Sequence, residues 1–147
     1  MIITYPNNLL RQKSTAIKTD EFSSPKIKKL IADMRHSIKE AGGVGLAAVQ
    51  IGILKRIILV EIGEEINVYI NPKITKRSLK KIAIEEGCLS VPGKNGYVKR
   101  SQKITIKALN EKGDVVKMNL EDIPAIIFQH EVDHLDGILF IDKIVNE

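Results

Sequence analysis

Three side chains within five residues could together bind and use a divalent metal. Gln129 to Gly137 reads Gln-His-Glu-Val-Asp-His-Leu-Asp-Gly, and in it His130, Glu131 and His134 form an H-E-x-x-H pattern. On a helix, residues four apart lie about 40° apart around an axis that turns roughly 100° per residue, so both imidazoles can reach one ion. Glu131 projects beside them, where its carboxylate can take a proton from a water that the ion has made acidic. A solitary histidine on an apolar face is ordinary core. Two at this spacing around a glutamate, in a chain with three histidines in all, point to a hydrolytic metal site.

The same pattern shows what is missing. A catalytic site of this kind takes about three protein ligands and keeps one position open, and H-E-x-x-H supplies two. In the extended H-E-x-x-H-x-x-G-x-x-H form a third histidine closes the run. Here Gly137 is present, but the last position is Phe140. Cys88, in Glu86-Gly87-Cys88-Leu89-Ser90 and about forty residues upstream, is the candidate for the vacancy. A thiolate binds zinc or ferrous iron strongly. The alternative is a buried free cysteine acting as a small hydrophobe. The open ligand slot favours the metal role, because Asp133 and Asp136 are expected to point away from the histidines and to act as hydrogen-bonding partners around them.

A third stretch, Gly42-Gly-Val-Gly-Leu-Ala-Ala-Val-Gln50-Ile-Gly52, is rich in small residues but lacks the lysine and hydroxyl of a phosphate loop. It would let a substrate backbone come close, and Gln50 could offer an amide donor to a developing oxyanion.

Several elements must position these residues. Ser24-Pro25 opens an amphipathic helix with Ile27, Leu30, Ile31, Met34, Ile38 and Ala41 on one face, ended by Gly42 and Gly43. His36 falls off that stripe and is read as a surface residue. Strands are expected at Arg56 to Ile62, at Ile66 to Ile70 before Asn71-Pro72, and at Lys81 to Glu85. Lys103 to Leu109 and Val115 to Leu120 alternate cleanly around a turn at Asn110 to Asp114 and form a hairpin. Asp122 is expected to cap a second helix on which Ile123, Ile126, Ile127, His130 and His134 share a face. The fold class is therefore α+β, with antiparallel β-sheets around a central metal-binding helix and an N-terminal amphipathic helix.

Composition sets the remaining bounds. With 147 residues, 44% hydrophobic and 28% charged, the chain is expected to form one domain, residues 1–147. No apolar run approaches the ~20 residues of a membrane span. The start, Met-Ile-Ile-Thr-Tyr-Pro, carries neither a basic signal pattern nor an Arg-rich transit pattern, and the single cysteine excludes an internal disulfide; a cytoplasmic site of action is expected. The net charge of +5 gathers in two sequence clusters, Lys73, Lys76, Arg77, Lys80, Lys81 and Lys94, Lys99, Arg100, Lys103. Each is read as solvated surface. With only 4% aromatic residues, they suit weak, salt-sensitive attraction to an anionic partner such as RNA and not sequence-specific nucleic-acid binding.

Gly43-Val-Gly-Leu-Ala-Ala-Val-Gln50, Glu86-Gly-Cys-Leu-Ser90 and Gln129-His-Glu-Val-Asp-His134 resemble, in order and spacing, the three motifs of the peptide deformylases. The resemblance runs from Tyr5-Pro6 to Phe140. It implies a metallohydrolase that removes the formyl group from the N-terminal formylmethionine of new polypeptides. On the same resemblance, Cys88, His130 and His134 hold the metal, Glu131 is the general acid and base, and Gln50 with the backbone N–H of Leu89 stabilises the oxyanion. The metal implied is ferrous iron, with zinc, nickel or cobalt able to take its place. Val44, Ile84, Ile123, Ile126 and Ile127 are candidates for a methionine pocket. Backbone groups of Val44, Gly45 and Gly87, with Glu86 beside them, are candidates for holding the peptide as an added strand.

Two features depart from the family. Many members place an arginine shortly after the second motif, where this chain has Pro92-Gly93-Lys94-Asn95-Gly96. The sequence also stops thirteen residues after His134 (147 − 134), without the C-terminal helix that bacterial members dock on the ribosome, and so resembles the short forms, including those carried by phages. The basic clusters still leave room for weak ribosome association. Two other readings compete. An H-E-x-x-H endopeptidase would need a downstream ligand, for which Asp136, Asp142 and Glu147 are poorly spaced. A non-catalytic, metal-binding, ribosome-associated module would have no use for Glu131 and Gln50.

Overall fold

The computed structural model describes residues 1–145, so Glu147 lies outside the described residues. Its elements are α1 (Pro25–Ala41), β1 (Gly45–Ala47), β2 (Ile57–Ile62), β3 (Glu65–Arg77), β4 (Lys81–Cys88), β5 (Val91–Ser101), β6 (Lys103–Leu109), β7 (Val115–Glu121) and α2 (Ile123–Leu135), with short 3-10 turns at Asn8–Arg11, Ala48–Ile51 and Phe140–Asp142. A five-stranded antiparallel sheet has the order β1-β2-β3-β6-β7, and β4 and β5 form a separate two-stranded sheet. The architecture is the expected α+β. None of the described helices is long and apolar enough to cross a membrane.

The chemistry of its ends explains α1. Ser24 Oγ accepts from the N–H of Ile27 at 3.3 Å and Pro25 occupies the first helical position, where its missing N–H costs nothing. Gly42 closes the helix in the left-handed region at φ 67°, which a side chain would resist. Ile27, Leu30, Ile31, Met34 and Ile38 are buried as expected, whereas Ala41 is exposed. They pack on Leu46, Ile57, Leu59, Val68 and Ile70 of the sheet, and fully buried Met34 contributes about 2 kcal/mol. On the other face of the sheet, Ile58, Val60, Tyr69, Ile104 and Ile106 meet Ala125, Phe128, Val132 and Leu135 of α2. The metal-motif helix is thereby clamped against the sheet by its own apolar residues.

The strands run longer than the sequence suggests. β3 continues through Asn71-Pro72, and the register shifts between Ile70 and Lys73. Asn71 adopts φ 51°, and its amide both accepts from Ile17 N–H at 2.8 Å and donates to Ile17 carbonyl at 2.9 Å. A proline at a bulge removes no ladder bond, so the strand bends there and goes on. β5 is not among the strands expected from sequence; Pro92, Gly93, Asn95 and Gly96 disfavour a strand locally, and pairing with β4 carries them. Gly45–Ala47, expected only as a glycine-rich segment, pairs with β2 as the edge strand.

Candidate metal centre and active site

α2 is buried almost all round in its second half. Residues 128–135 are all buried, with His130 at 8%, Glu131 at 4% and His134 at 1% exposure. Burial is thus wider than the single stripe expected, and Ile123, placed on that stripe, is exposed. Asp122 precedes the helix at φ 58° without capping it through its side chain, and its Oδ1 accepts instead from Gln102 Nε2 at 3.1 Å. The first turn uses the Asp122 carbonyl, which accepts from Ile126 N–H.

The two imidazoles face each other with ring centroids 5.0 Å apart. Cys88 arrives from the end of β4, where the register shift after Glu86 turns the chain back toward Val91. Its Sγ lies 3.3 Å from His134 Nε2. One ligand atom from each of Cys88, His130 and His134 lies within 4.8 Å of the other two, a soft sulfur and two nitrogens that fit a divalent transition metal. Asp136 and Asp142 stand elsewhere, held by Arg56 at 3.0 Å and by Arg11 at 2.5 Å.

Behind these three donors lies a buried ionic network, of which the sequence suggested only Asp133 as a hydrogen-bonding member. His130 Nδ1 donates to Glu86 Oε1 at 2.8 Å, which leaves Nε2 free to face the cysteine and fits the way metal-binding histidines are oriented. Glu86 is held in turn by Arg100, through Nε at 2.6 Å and Nη2 at 3.1 Å. Arg100 Nη1 also donates to Asp133 Oδ2 at 2.8 Å, and Lys143 reaches the same oxygen at 2.9 Å. Arg100, grouped in sequence with a basic surface cluster, is in fact only 4% exposed. Sequence offers one retrospective signal: β5 alternates, and Val98 and Arg100 share its buried side.

The ionisation states follow from this wiring. Burial alone would raise the Glu86 carboxyl, but hydrogen bonds from His130 and Arg100 overcome it and hold the group below its ordinary range. Burial likewise opposes charge on His130, yet its bonds to Cys88 and Glu86 and the nearby Glu131 charge raise it to about 10. Glu131 moves up to about 7, chiefly because it is buried, against the pull of His130 and Arg100. His134 is driven well below its usual value by burial and then by the charges of His130 and Arg100.

Two buried carboxylates therefore differ sharply. Glu86 is fully engaged, whereas Glu131 Oε1 is buried with no hydrogen-bond partner. The Glu131 side chain lies across Gly45, where any Cβ would overlap its carboxylate. Gln50, in the 3-10 turn after β1, is 2% exposed and fixed at both ends of its amide. Its Oε1 accepts from Ala47 N–H at 2.9 Å, and its Nε2 donates to Ser90 Oγ at 3.0 Å while lying 3.7 Å from Cys88 Sγ. The sequence reading gave Ser90 no role, although it closes the second motif; its contact with Gln50 spans 40 residues.

One cavity of about 460 Å³ joins these groups. Gln50, Cys88, Leu89, His130 and Glu131 line it, together with Val44, Gly45, Ile84, Gly87, Ile123, Ile126 and Ile127. Glu86 lines it as well, though its carboxylate is occupied by Arg100 and His130. Of the sequence candidates only His134 sits behind the wall. Residues of β1 and β4 line the cavity, and each is an outermost strand of its sheet among the described residues. Main-chain groups on those edges are available to an extended ligand.

Comparison with known proteins gives one family. The polypeptide deformylase family model matches residues 1–147. A peptide deformylase of Syntrophomonas wolfei is 44% identical over 144 residues, covering 98% of this chain and 92% of that protein. Among solved structures, the peptide deformylase of Thermotoga maritima is 36% identical with a TM-score of 0.93, covering 99% of this chain and 97% of that one. A class I type b peptide deformylase from Acinetobacter baumannii, bound to Met-Ala-Ser, is 34% identical with a TM-score of 0.94, covering 98% and 97%.

Proposed function

We propose, from the premise that the chain belongs to the polypeptide deformylase family and is a metal-dependent hydrolase that removes the N-formyl group from nascent peptides, that residues 1–147 act as one catalytic unit in which Cys88, His130 and His134 hold the metal. The observation that carries this assignment is the meeting of those three donors with an unpartnered carboxylate at the head of an apolar cavity. Ferrous iron is the ion we assign, with zinc, nickel or cobalt able to substitute. An ion bound there supplies Lewis acidity, acidifying water and polarising the formyl carbonyl.

The protein's own groups do the rest. Glu131, free of other hydrogen bonds and raised toward neutral pH, takes the proton of the attacking water and returns it to the departing amine. Gln50 Nε2 and the Leu89 N–H donate to the carbonyl oxygen as it gains charge, an interaction worth a few kcal/mol in the transition state, roughly 3 per donor. The Gln50 amide is held by Ala47 and Ser90, and its second N–H, which here donates to Cys88 Sγ at 3.7 Å, turns from the sulfur to meet that charge. Ile84, Ile126 and Ile127, with Val44 and Ile123 at the exposed rim, receive the methionine side chain. The peptide lies extended, pairing through the backbone of Val44, Gly45 and Gly87. The Met-Ala-Ser complex of the Acinetobacter baumannii relative supports a peptide of this kind in the cleft. Cytoplasmic action and weak association with the ribosome complete the reading.

The test is anaerobic, iron-loaded protein given a formyl-Met peptide and its acetyl-Met counterpart, following the free amine. We expect release from the formyl peptide alone. Absence of release would refute the function, and loss of bound metal in Cys88→Ser is expected only if the thiolate is a ligand.

A further inference from the structure

The outer face of the five-stranded sheet has two halves. Over β1, β2 and the start of β3 it carries Leu46, Ile57, Leu59, Val68 and Ile70 and is covered by α1. Past Ile70 the same face is exposed, and its first outward row is all lysine. Lys73 lies opposite Lys107, and Lys107 opposite Lys117, a row of three ammonium groups across β3, β6 and β7. The next row is Lys76, Thr105 and Asn119, and beyond it Lys103 faces Glu121 at 3.8 Å. These residues come from three separate segments, and Lys107 and Lys117 belong to neither basic cluster of the sequence.

Neighbouring strands are about 4.8 Å apart, and like charges directly opposite each other destabilise a sheet. Among the described residues no carboxylate comes within the 4.0 Å ion-pair distance of Lys73, Lys76, Lys107 or Lys117. Folding does not call for lysine here, since the inward residues Ile74, Ile106 and Met118 supply the packing. The row therefore repels itself unless an outside anion screens it.

We propose that this lysine face binds the phosphate backbone of RNA without reading its bases. Three of the cations stand in one row across three strands, about 4.8 Å from strand to strand, with Lys76 beside it, an extended line suited to a chain of anionic groups and not to one small ligand. Neither lysine row offers an aromatic ring for base stacking or an apolar side chain for insertion into a membrane. The inner face of these strands packs on α2, so bound RNA lies on the far side of the sheet from the cavity and leaves its mouth open. This deepens the ribosome association proposed above, because a nascent chain is presented by an RNA-rich particle.

The test uses the full chain and a labelled RNA duplex of mixed sequence, followed by fluorescence anisotropy. About four phosphate contacts give a slope of about −3.6 in log affinity against log salt, which is about a hundredfold loss between about 50 and 200 mM. Lys107→Gln should flatten that slope by about 1, equally for unrelated RNA sequences. Lys73→Gln/Lys107→Gln/Lys117→Gln should remove about three quarters of it. Lys81→Gln/Lys99→Gln, on the two-stranded sheet, should leave it intact. Melting temperatures of the row variants should hold or rise, since repulsion is relieved. Hydrolysis of a short formyl-Met peptide should be unchanged in all of them. A triple variant that binds RNA like the parent would overturn the proposal, and so would a parent chain that binds phosphatidylserine vesicles but no RNA at about 50 mM salt. Activity without RNA binding leaves the hydrolytic reading standing, and RNA binding without activity refutes that reading alone.

Discussion

Arg100 and Lys107 are cations seven residues apart (107 − 100), on consecutive strands, and they live under opposite electrostatic rules. Arg100 is buried, and each of its three guanidinium nitrogens donates to Glu86 or Asp133. Lys107 is exposed, and its directly opposite neighbours on both sides are lysines. One charge is locked inside by partners, of which Glu86 also holds His130, proposed above as a metal ligand; the other is left uncompensated where a solvent-borne polyanion can reach it. Charge in a sequence thus acquires a role only when the fold supplies or withholds its partners.

The contrast can be broken most forcefully at Arg100. Arg100→Met strands Glu86 and Asp133 as buried, partly uncompensated carboxylates, and a loss of about 3–5 kcal/mol in chemical denaturation is expected. A loss below about 1 kcal/mol, the usual worth of a surface pair, would put Arg100 in the same class as Lys107.

Within the site, the analogous contrast is Glu131 against Glu86. Glu131→Gln should lower kcat on a formyl-Met peptide by about 10²–10⁴-fold with metal content unchanged. Glu86→Gln should instead weaken metal binding by about 10–100-fold, read by competition with a chelator, because it acts through the orientation of His130. If the two variants exchanged these signatures, the division between reacting and orienting carboxylates would fail.

Proton linkage sharpens the same division. Without metal, His130, raised to about 10, carries its proton at neutral pH, and Glu131, raised to about 7, is partly protonated there. An ion needs the free imidazole and adds positive charge beside Glu131, so binding should release at least about one proton at pH 7 and tighten as pH rises toward 9. Calorimetric titration in buffers of different ionisation enthalpy measures the release; pH-independent affinity would contradict it. Glu86 has the opposite sign. Its folded pKa is lowered from 4.5, so the stability it confers is present above that value and is lost as pH falls through the lower folded value.

The smallest effect belongs to Lys107. Lys107→Gln should change unfolding free energy by less than about 0.5 kcal/mol, toward greater stability, in thermal or denaturant melts.

How much of this was legible in sequence varied with the range of the physics. α1 was readable because its cap, proline, stripe and terminal glycine are all local. The antiparallel α+β class followed from alternation at 103–109 and 115–120. The three motif segments carried the family, which the whole-chain match supports. β5 was hidden because Pro92, Gly93 and Gly96 signal a turn locally, while pairing with β4 decides otherwise. Asn71-Pro72 read as a stop, though Asn71 is held in its bend by Ile17, 54 residues away. Arg100 was misplaced on the surface since its carboxylates lie 14 and 33 residues off, and no local pattern announces a partner at that range. The lysine row was invisible for the same reason: register, not adjacency, assembles it.

The two strand edges that border the cavity carry a consequence for breadth of use. A ligand gripped along its main chain, with one apolar side chain inserted, is recognised by what all polypeptides share and by the residue that begins them. Such a cleft is nearly indifferent to the message being translated. A single small enzyme built this way can serve an entire proteome, because the feature it inspects is the start of a chain and not its identity.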